Sequence, residues 1–258
     1  MIYQVCLGNE SSSELYKHCI NSVRSYCLKY DIVHIIQTEP ILRIKPDPFM
    51  SNRSEASYQK HGGFLPIYEK ENAFGYMDDY DQIAIVDADI FIRDSAPNIF
   101  EDFGTDHAFG AVSEREMPLT QTYQAKIFNY SRMQYNGLTG LDFKLDRRGF
   151  EFFNMGMILL NCVSFKPYLK GDTPKEFIER TEFMDFVNGK GTWKWSTDQT
   201  LLNFFLKKYK VPVKHMNHVW NGLYTANTKI KNCHFVHFFL KDKLPKRGED
   251  IKQLMKDI

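Results

Sequence analysis

The segment Gln82-Ile83-Ala84-Ile85-Val86 is a compact apolar strand that ends abruptly in Asp87-Ala88-Asp89. A buried strand that stops where charge begins needs neighbours on both sides, and the chain supplies them in alternation. Ile2–Leu7 reads as a strand, and Ser13–Tyr30 carries Leu15, Cys19, Val23, Tyr26 and Cys27 at helical spacing. Asp31–Gln37 has the β-branched run of a second strand, and Glu39–Pro48, with three prolines, is loop. Helices are expected over Tyr68–Tyr80, Pro174–Val187 and Ser196–Tyr209, with Ser196 and Gln199 at capping-box spacing, and further strands over Met155–Leu160 and Cys233–Phe239. This order predicts an α/β fold, a mixed and mostly parallel central sheet flanked by helices. No internal repeat or linker divides residues 1–258, so one domain is expected; 113–150, mixed polar and aromatic with Gly137 and Gly140, reads as an insertion or lid.

Thirty-three basic residues against 32 acidic ones, scattered along the chain, leave no field to gather nucleic acid, and no nucleic-acid partner is expected. No stretch reaches the roughly 18 apolar residues of a membrane span, and Met1–Leu7 lacks a charged leader. The five cysteines (Cys6, Cys19, Cys27, Cys162, Cys233) form neither a Cys-X-X-Cys nor an even framework. The expectation is a soluble protein of a reducing compartment, the cytoplasm.

In open α/β sheets ligands sit outside the carboxyl ends of the strands, where Asp87-Ala88-Asp89 falls. Two carboxylates so close repel unless a cation joins them, and hard oxygen ligands suit Mg²⁺ or Mn²⁺, with substrate phosphates completing the shell. The competing reading is local: one Asp caps the turn and the other is solvated.

Ile83-Ala84-Ile85-Val86-Asp87-Ala88-Asp89 resembles the apolar strand and Asp-X-Asp of glycogenin-like retaining glycosyltransferases with the GT-A fold. Phe153-Asn154-Met155-Gly156-Met157 is similar to that family's Phe-Asn-X-Gly strand, and Ser196-Thr197-Asp198-Gln199 to its Asp-Gln helix start. His237-Phe238-Phe239-Leu240-Lys241-Asp242-Lys243 resembles its carboxyl-terminal motif, a metal-binding His with a diphosphate-binding Lys six positions later. The resemblance implies a GT-A nucleotide-diphospho-sugar transferase fold, Asp87, Asp89 and His237 as ligands to Mn²⁺ or Mg²⁺, and Asp198, Gln199 and Lys243 as catalytic groups. It also implies donor contacts from Leu7, Gly8, Asn9, Lys70, Ala88, Asn154 and Gly156. The partners would be a nucleotide diphosphate sugar, taken as a UDP-sugar, and a hydroxyl acceptor that is a glycan, a protein or a small molecule. Leu240 stands where the family has Gly, and Leu244-Pro245 where it has Pro-Trp.

Each of these residues also has a structural reading. His237 fits a half-buried strand histidine, Lys70 a surface lysine, and Asp198 with Gln199 a helix start that favours the macrodipole. Gly156 is either a packing glycine or a point of close backbone approach. Trp193 and Trp195 suit either loop anchoring or stacking on an acceptor sugar. Two rival functions stand beside transfer. A haloacid-dehalogenase-like phosphatase also places Asp-X-Asp after a buried strand, though Ile90-Phe91-Ile92 follows here in place of Gly-Thr, and a nucleotide-sugar-binding protein would bind without turnover.

Overall fold

The computed structural model describes residues 1–8, 13–47, 62–135, 138, 141 and 143–258. Six strands form the main sheet in the order β2-β1-β3-β8-β5-β9: β1 (Ile2–Val5), β2 (His34–Gln37), β3 (Gln82–Val86), β5 (Phe109–Ser113), β8 (Phe153–Asn161) and β9 (Val213–His215). β8 runs antiparallel to both its neighbours, and every other pairing in this sheet is parallel. A smaller sheet, β10-β11-β4, joins β10 (Gly222–Leu223), β11 (Phe235–His237) and β4 (Ile90–Ile92). A short hairpin pairs β6 (Leu145–Asp146) with β7 (Gly149–Phe150).

Alternation along the central strands builds a core on each face of the main sheet. Ile83, Ile85, Ile158 and Leu160 pack on one side with Phe165, Phe177, Leu201 and Phe205 from the helices Cys162–Leu169, Pro174–Ile178 and Asp198–Lys208. Ala84, Val86, Met157 and Leu159 pack on the other with Val23 and Tyr26 from the helix Glu14–Lys29 and with Ile99 and Ile127. Among the described residues, no helix is long and apolar enough to cross a membrane.

Three helix expectations need correction. Tyr68–Tyr80 is instead a string of 3-10 turns over Pro66–Tyr76, with Tyr68, Glu69, Glu71, Ala73 and Phe74 all buried and no single apolar stripe. Pro174–Val187 breaks after Ile178: Arg180 turns extended so that its guanidinium meets the Asp172 carboxylate at 2.6 Å and donates to the Leu169 carbonyl at 2.6 Å. The capping box on Ser196 does not form. Thr197 is the cap, accepting from the Gln199 backbone N–H at 3.1 Å, while the Ser196 hydroxyl donates to Gln134 Oε1 at 2.9 Å.

Within 113–150, the helix Gln121–Tyr135 lies where the sequence shows no clear period. Its inward face carries Ser131 and Gln134, both fully buried. Gln134 Oε1 accepts from Ser196 and Thr200, and its carbonyl accepts from Trp193 Nε1. Two buried polar residues, Ser131 bonded within the helix to the Phe128 carbonyl and Gln134 accepting from tertiary donors, thus occupy part of the expected apolar stripe. Gly137 and Gly140 lie outside the described residues.

Candidate active site

The turn after β3 presents Asp87, Ala88 and Asp89, with the Asp87 backbone N–H donating to the Gly156 carbonyl at 2.8 Å. β4 starts at the next residue and pairs antiparallel with β11, setting His237 opposite Ile90, and Phe238 N–H donates to the Asp89 carbonyl at 2.9 Å. The smaller sheet therefore delivers His237 to the two aspartates. One ligand atom from each of Asp87, Asp89 and His237 lies within 4.8 Å of the others, and His237 Nε2 is 3.2 Å from Asp89 Oδ1 and 3.7 Å from Asp87 Oδ2. Two carboxylates and one imidazole converging in this way fit a Mn²⁺ or Mg²⁺ ion with positions left for phosphate oxygens.

Charge coupling within the cluster follows its geometry. Burial opposes the charged form of His237, but the Asp89 carboxylate outweighs it and raises the imidazole above its ordinary value. Burial also opposes charge on Asp89, and His237 outweighs it, holding that carboxyl below the usual range. Asp87 is raised, chiefly by burial.

Lys70 is a hub and not a surface lysine, its side chain being 12% exposed. Its Nζ contacts Asp87 Oδ1 at 3.0 Å, Asp198 Oδ2 at 2.9 Å and the Met155 carbonyl at 2.7 Å. Burial works against its charge, but Asp198 and Asp87 overcome this and raise it. Asp198, first residue of its helix, is thereby tied to the cluster of Asp87, Asp89 and His237.

Asn154 and Gly156 lie on β8 beside β3. Asn154 Oδ1 accepts from Gly156 N–H at 3.0 Å and Asn221 Nδ2 at 2.8 Å, and its Nδ2 donates to Glu114 Oε1 at 2.7 Å. A Cβ on Gly156 would collide with His237 Cε1 and stand 2.6 Å from Nδ1, so within the protein the close approach at Gly156 is to the imidazole. Gln199 Nε2 donates to Glu114 Oε1 at 3.1 Å. Burial raises the Glu114 carboxyl, while the Asn154 and Gln199 amides pull against that rise.

Glu114 and Asn221 escaped the sequence reading. Glu114 follows β5 directly, as Asp87 follows β3, so a carboxylate just past an apolar strand was the available signal. Asn221 offered none.

Two cavities meet at Lys70, Asp87, Asp89 and Asp198. The smaller, about 290 Å³, is walled by Val5, Leu7, Tyr16, Pro66 and Ala88. The larger, about 800 Å³, reaches Glu114, Asn154, Gly156, Gln199, His237 and Lys243. Leu7 and Ala88 thus line the first, whereas Gly8 is exposed at the end of β1, with φ +54°. Asn9 lies outside the described residues. A cleft of about 550 Å³ beside Asp78, Asp81 and Cys162 adjoins the opposite, amino end of β3 and lacks this convergence. Trp193 anchors structure, its Nε1 donating to the Gln134 carbonyl and its ring edge-on to Phe186 at 5.2 Å; Trp195 is exposed, with Lys194 over its ring.

Comparison with known proteins bears on the fold. No family model matches this chain, and no curated protein is similar to it in sequence. Among solved structures, an active-site variant of LgtC superposes with a TM-score of 0.52 over 99% of this chain and 95% of its own, at 16% identity. Mouse xyloside xylosyltransferase 1 gives 0.49 at 11% identity (95% and 99% covered). A glycosyltransferase involved in the glycosylation of the major capsid of PBCV-1 gives 0.47 at 9% identity (98% of each). The chain has the GT-A fold, as its mixed sheet and the LgtC likeness show.

Proposed function

We propose that this chain is a metal-dependent glycosyltransferase that moves a sugar from a nucleotide diphosphate sugar, a UDP-sugar, to an acceptor hydroxyl with retention at the anomeric carbon. The observation that carries this reading is the convergence of Asp87, Asp89 and His237 at the carboxyl end of β3, between two cavities. LgtC itself is described as a galactosyltransferase in complex with donor and acceptor sugar analogues. Asp87, Asp89 and His237 would hold a Mn²⁺ or Mg²⁺ ion, which would supply electrophilic neutralisation of the diphosphate.

The smaller cavity, with Leu7 and Ala88 in its wall, takes the nucleoside; Gly8 and Asn9, which follow Leu7 in the sequence, belong to the proposed donor contacts. The larger takes the donor sugar and the acceptor. Lys70 holds the Asp198 carboxylate beside Asp87, so Asp198 is fixed before substrate arrives and orients the sugar or stabilises the cationic anomeric carbon. Glu114 fixes the Asn154 and Gln199 side-chain amides, leaving them oriented toward sugar hydroxyls. Lys243 places an ammonium where the departing diphosphate gains charge, and that phosphate takes the acceptor's proton on the same face of the sugar. The acceptor class is a glycan, a protein or a small molecule.

The test is calorimetric titration of UDP and of GDP with Mn²⁺ or with chelator, on wild type and on folded Asp89→Ala, followed by turnover assays with UDP-sugars. UDP binding that needs Mn²⁺ and disappears in the variant is expected. No nucleotide binding under any condition would overturn the proposal, and donor binding without transfer or hydrolysis would leave a nucleotide-sugar-binding protein.

A further inference from the structure

The helix Gln121–Tyr135 turns one face to the larger cavity: Tyr123, Lys126, Ile127 and Tyr130 all line it, at the i, i+3, i+4, i+7 spacing of a single helical stripe. The stripe is held in place at both ends. Tyr123 packs edge-on against Phe239, with centroids 5.5 Å apart, and the Tyr130 hydroxyl donates to the Trp195 carbonyl at 3.1 Å. Between these anchors stands Lys126. It lines the same cavity as Lys243, and its charge lowers Lys243 below its ordinary value.

Among the described residues, neither lysine has a carboxylate within ion-pair distance. The acids lining the same cavity are engaged elsewhere. Asp87 and Asp198 share Lys70, Asp89 meets His237, and Glu114 takes the amides of Asn154 and Gln199. Two cations lining one cavity form a site that an anion would relieve.

Charge balance says which anion. Asp87, Asp89 and Asp198 set three negative charges against Lys70, a divalent ion on its ligands would cancel the remaining two, and burial works against further negative charge on the neighbouring Glu71 and Glu114. The diphosphate of an intact sugar nucleotide then adds two negative charges that this cluster does not offset. One lysine leaves half of that charge unmatched, and the pair matches it. When the anomeric C–O bond breaks, the electron pair stays on the diphosphate oxygen and the negative charge grows further.

We infer that Lys126 and Lys243 together clamp the donor diphosphate, so that the helix Gln121–Tyr135 forms part of the donor site. The inference rests on the proposed transferase reading and adds a residue to it. It also gives segment 113–150 a share in holding the leaving group.

The test uses the full chain with Mn²⁺, with uridine, UMP, UDP and pyrophosphate as calorimetric probes. Lys126→Gln, confirmed as folded by its circular dichroism and melting curve, is expected to weaken UDP and pyrophosphate by about tenfold and uridine not at all. Lys126→Arg should restore most of the loss. The double variant Lys126→Gln/Lys243→Gln should lose less than the product of the single losses, because both cations act on one anion. If wild type binds UDP with Mn²⁺ and Lys126→Gln binds it equally well, the clamp is wrong while the transferase reading stands. An effect confined to assays with an acidic acceptor, with UDP affinity unchanged, would place the anion on the acceptor and overturn it as well. Failure of wild type to bind UDP with Mn²⁺ would remove the transferase reading, and the clamp with it.

Discussion

Glu69 and Glu71 are next-but-one neighbours in the same run of 3-10 turns, and both are fully buried, yet their surroundings are opposite. Glu69 gathers donors. Its carboxylate accepts from the backbone N–H groups of Ile41 at 2.7 Å, Leu42 at 3.0 Å and Arg43 at 2.6 Å, and from Gln37 Nε2 at 2.8 Å. Glu71 has no hydrogen-bond partner for either oxygen among the described residues, and burial, with the Asp198 charge adding to it, pushes its carboxyl well up. The first carboxylate pins the proline-rich loop that follows β2. The second sits with Lys70, Asp87 and Asp198, where acids are crowded and short of donors. A buried acid with a full set of backbone donors belongs to the scaffold; acids left under-satisfied around one cation mark the site.

The largest effect that could break this contrast is on stability. Glu69→Ala would strand three backbone N–H groups and is expected to cost about 3–5 kcal/mol, read from the urea unfolding midpoint. A midpoint within error of wild type would show that the loop does not depend on this anchor. On the site side activity carries the larger effect. Asp89→Ala should lower kcat about 10²–10³-fold while shifting the unfolding midpoint less than Glu69→Ala does, because relieved repulsion with Asp87 offsets part of the lost pairing with His237. Full activity in a folded variant would exclude Asp89 from the metal site.

A smaller effect is expected with pH. His237 is raised by Asp89, so in the metal-free protein a divalent ion must displace a proton from it. Apparent Mn²⁺ affinity should climb about tenfold per pH unit until pH passes the His237 value, then level off, with one proton released per ion when buffers of different ionisation enthalpy are compared. Without metal, the same pair stabilises the fold most between the unfolded values of Asp and His, about pH 4 to 6.5. The His237 contribution is lost as pH rises through its raised folded value, and the Asp89 contribution as pH falls through its lowered one. A pH-independent affinity would mean that His237 is not a ligand. The smallest effect should come from Glu71→Leu, which removes an unpartnered acid and is expected to raise stability by about 1–2 kcal/mol. A destabilised variant would show that Glu71 has a role the contrast with Glu69 misses.

Much of the fold was legible because it is written in short-range periods. The apolar runs that became β1, β3 and β8 and the helical stripe of Glu14–Lys29 each declare themselves within a few residues. The helix Gln121–Tyr135 did not, because Ser131 and Gln134 interrupt its inward face and the Gln134 partners, Ser196 and Thr200, lie on a distant segment that local pattern cannot reveal. Pro66–Tyr76 misled for a related reason: two glutamates occupy buried positions, one satisfied by a distant loop and one without a hydrogen-bond partner among the described residues, beside Lys70 and Asp198.

The sequence by itself determined the chemical inventory at the end of β3, an Asp-X-Asp following a buried strand, because strand and turn are adjacent and need no other segment to be recognised. Only the tertiary structure decided that β4 pairs with β11 and so sets His237 against Asp89, that Lys70 is buried between Asp87 and Asp198, and that Lys126 and Lys243 line one cavity. These relations join segments far apart in the chain, and burial and Coulomb coupling depend on distances in space that no local period encodes.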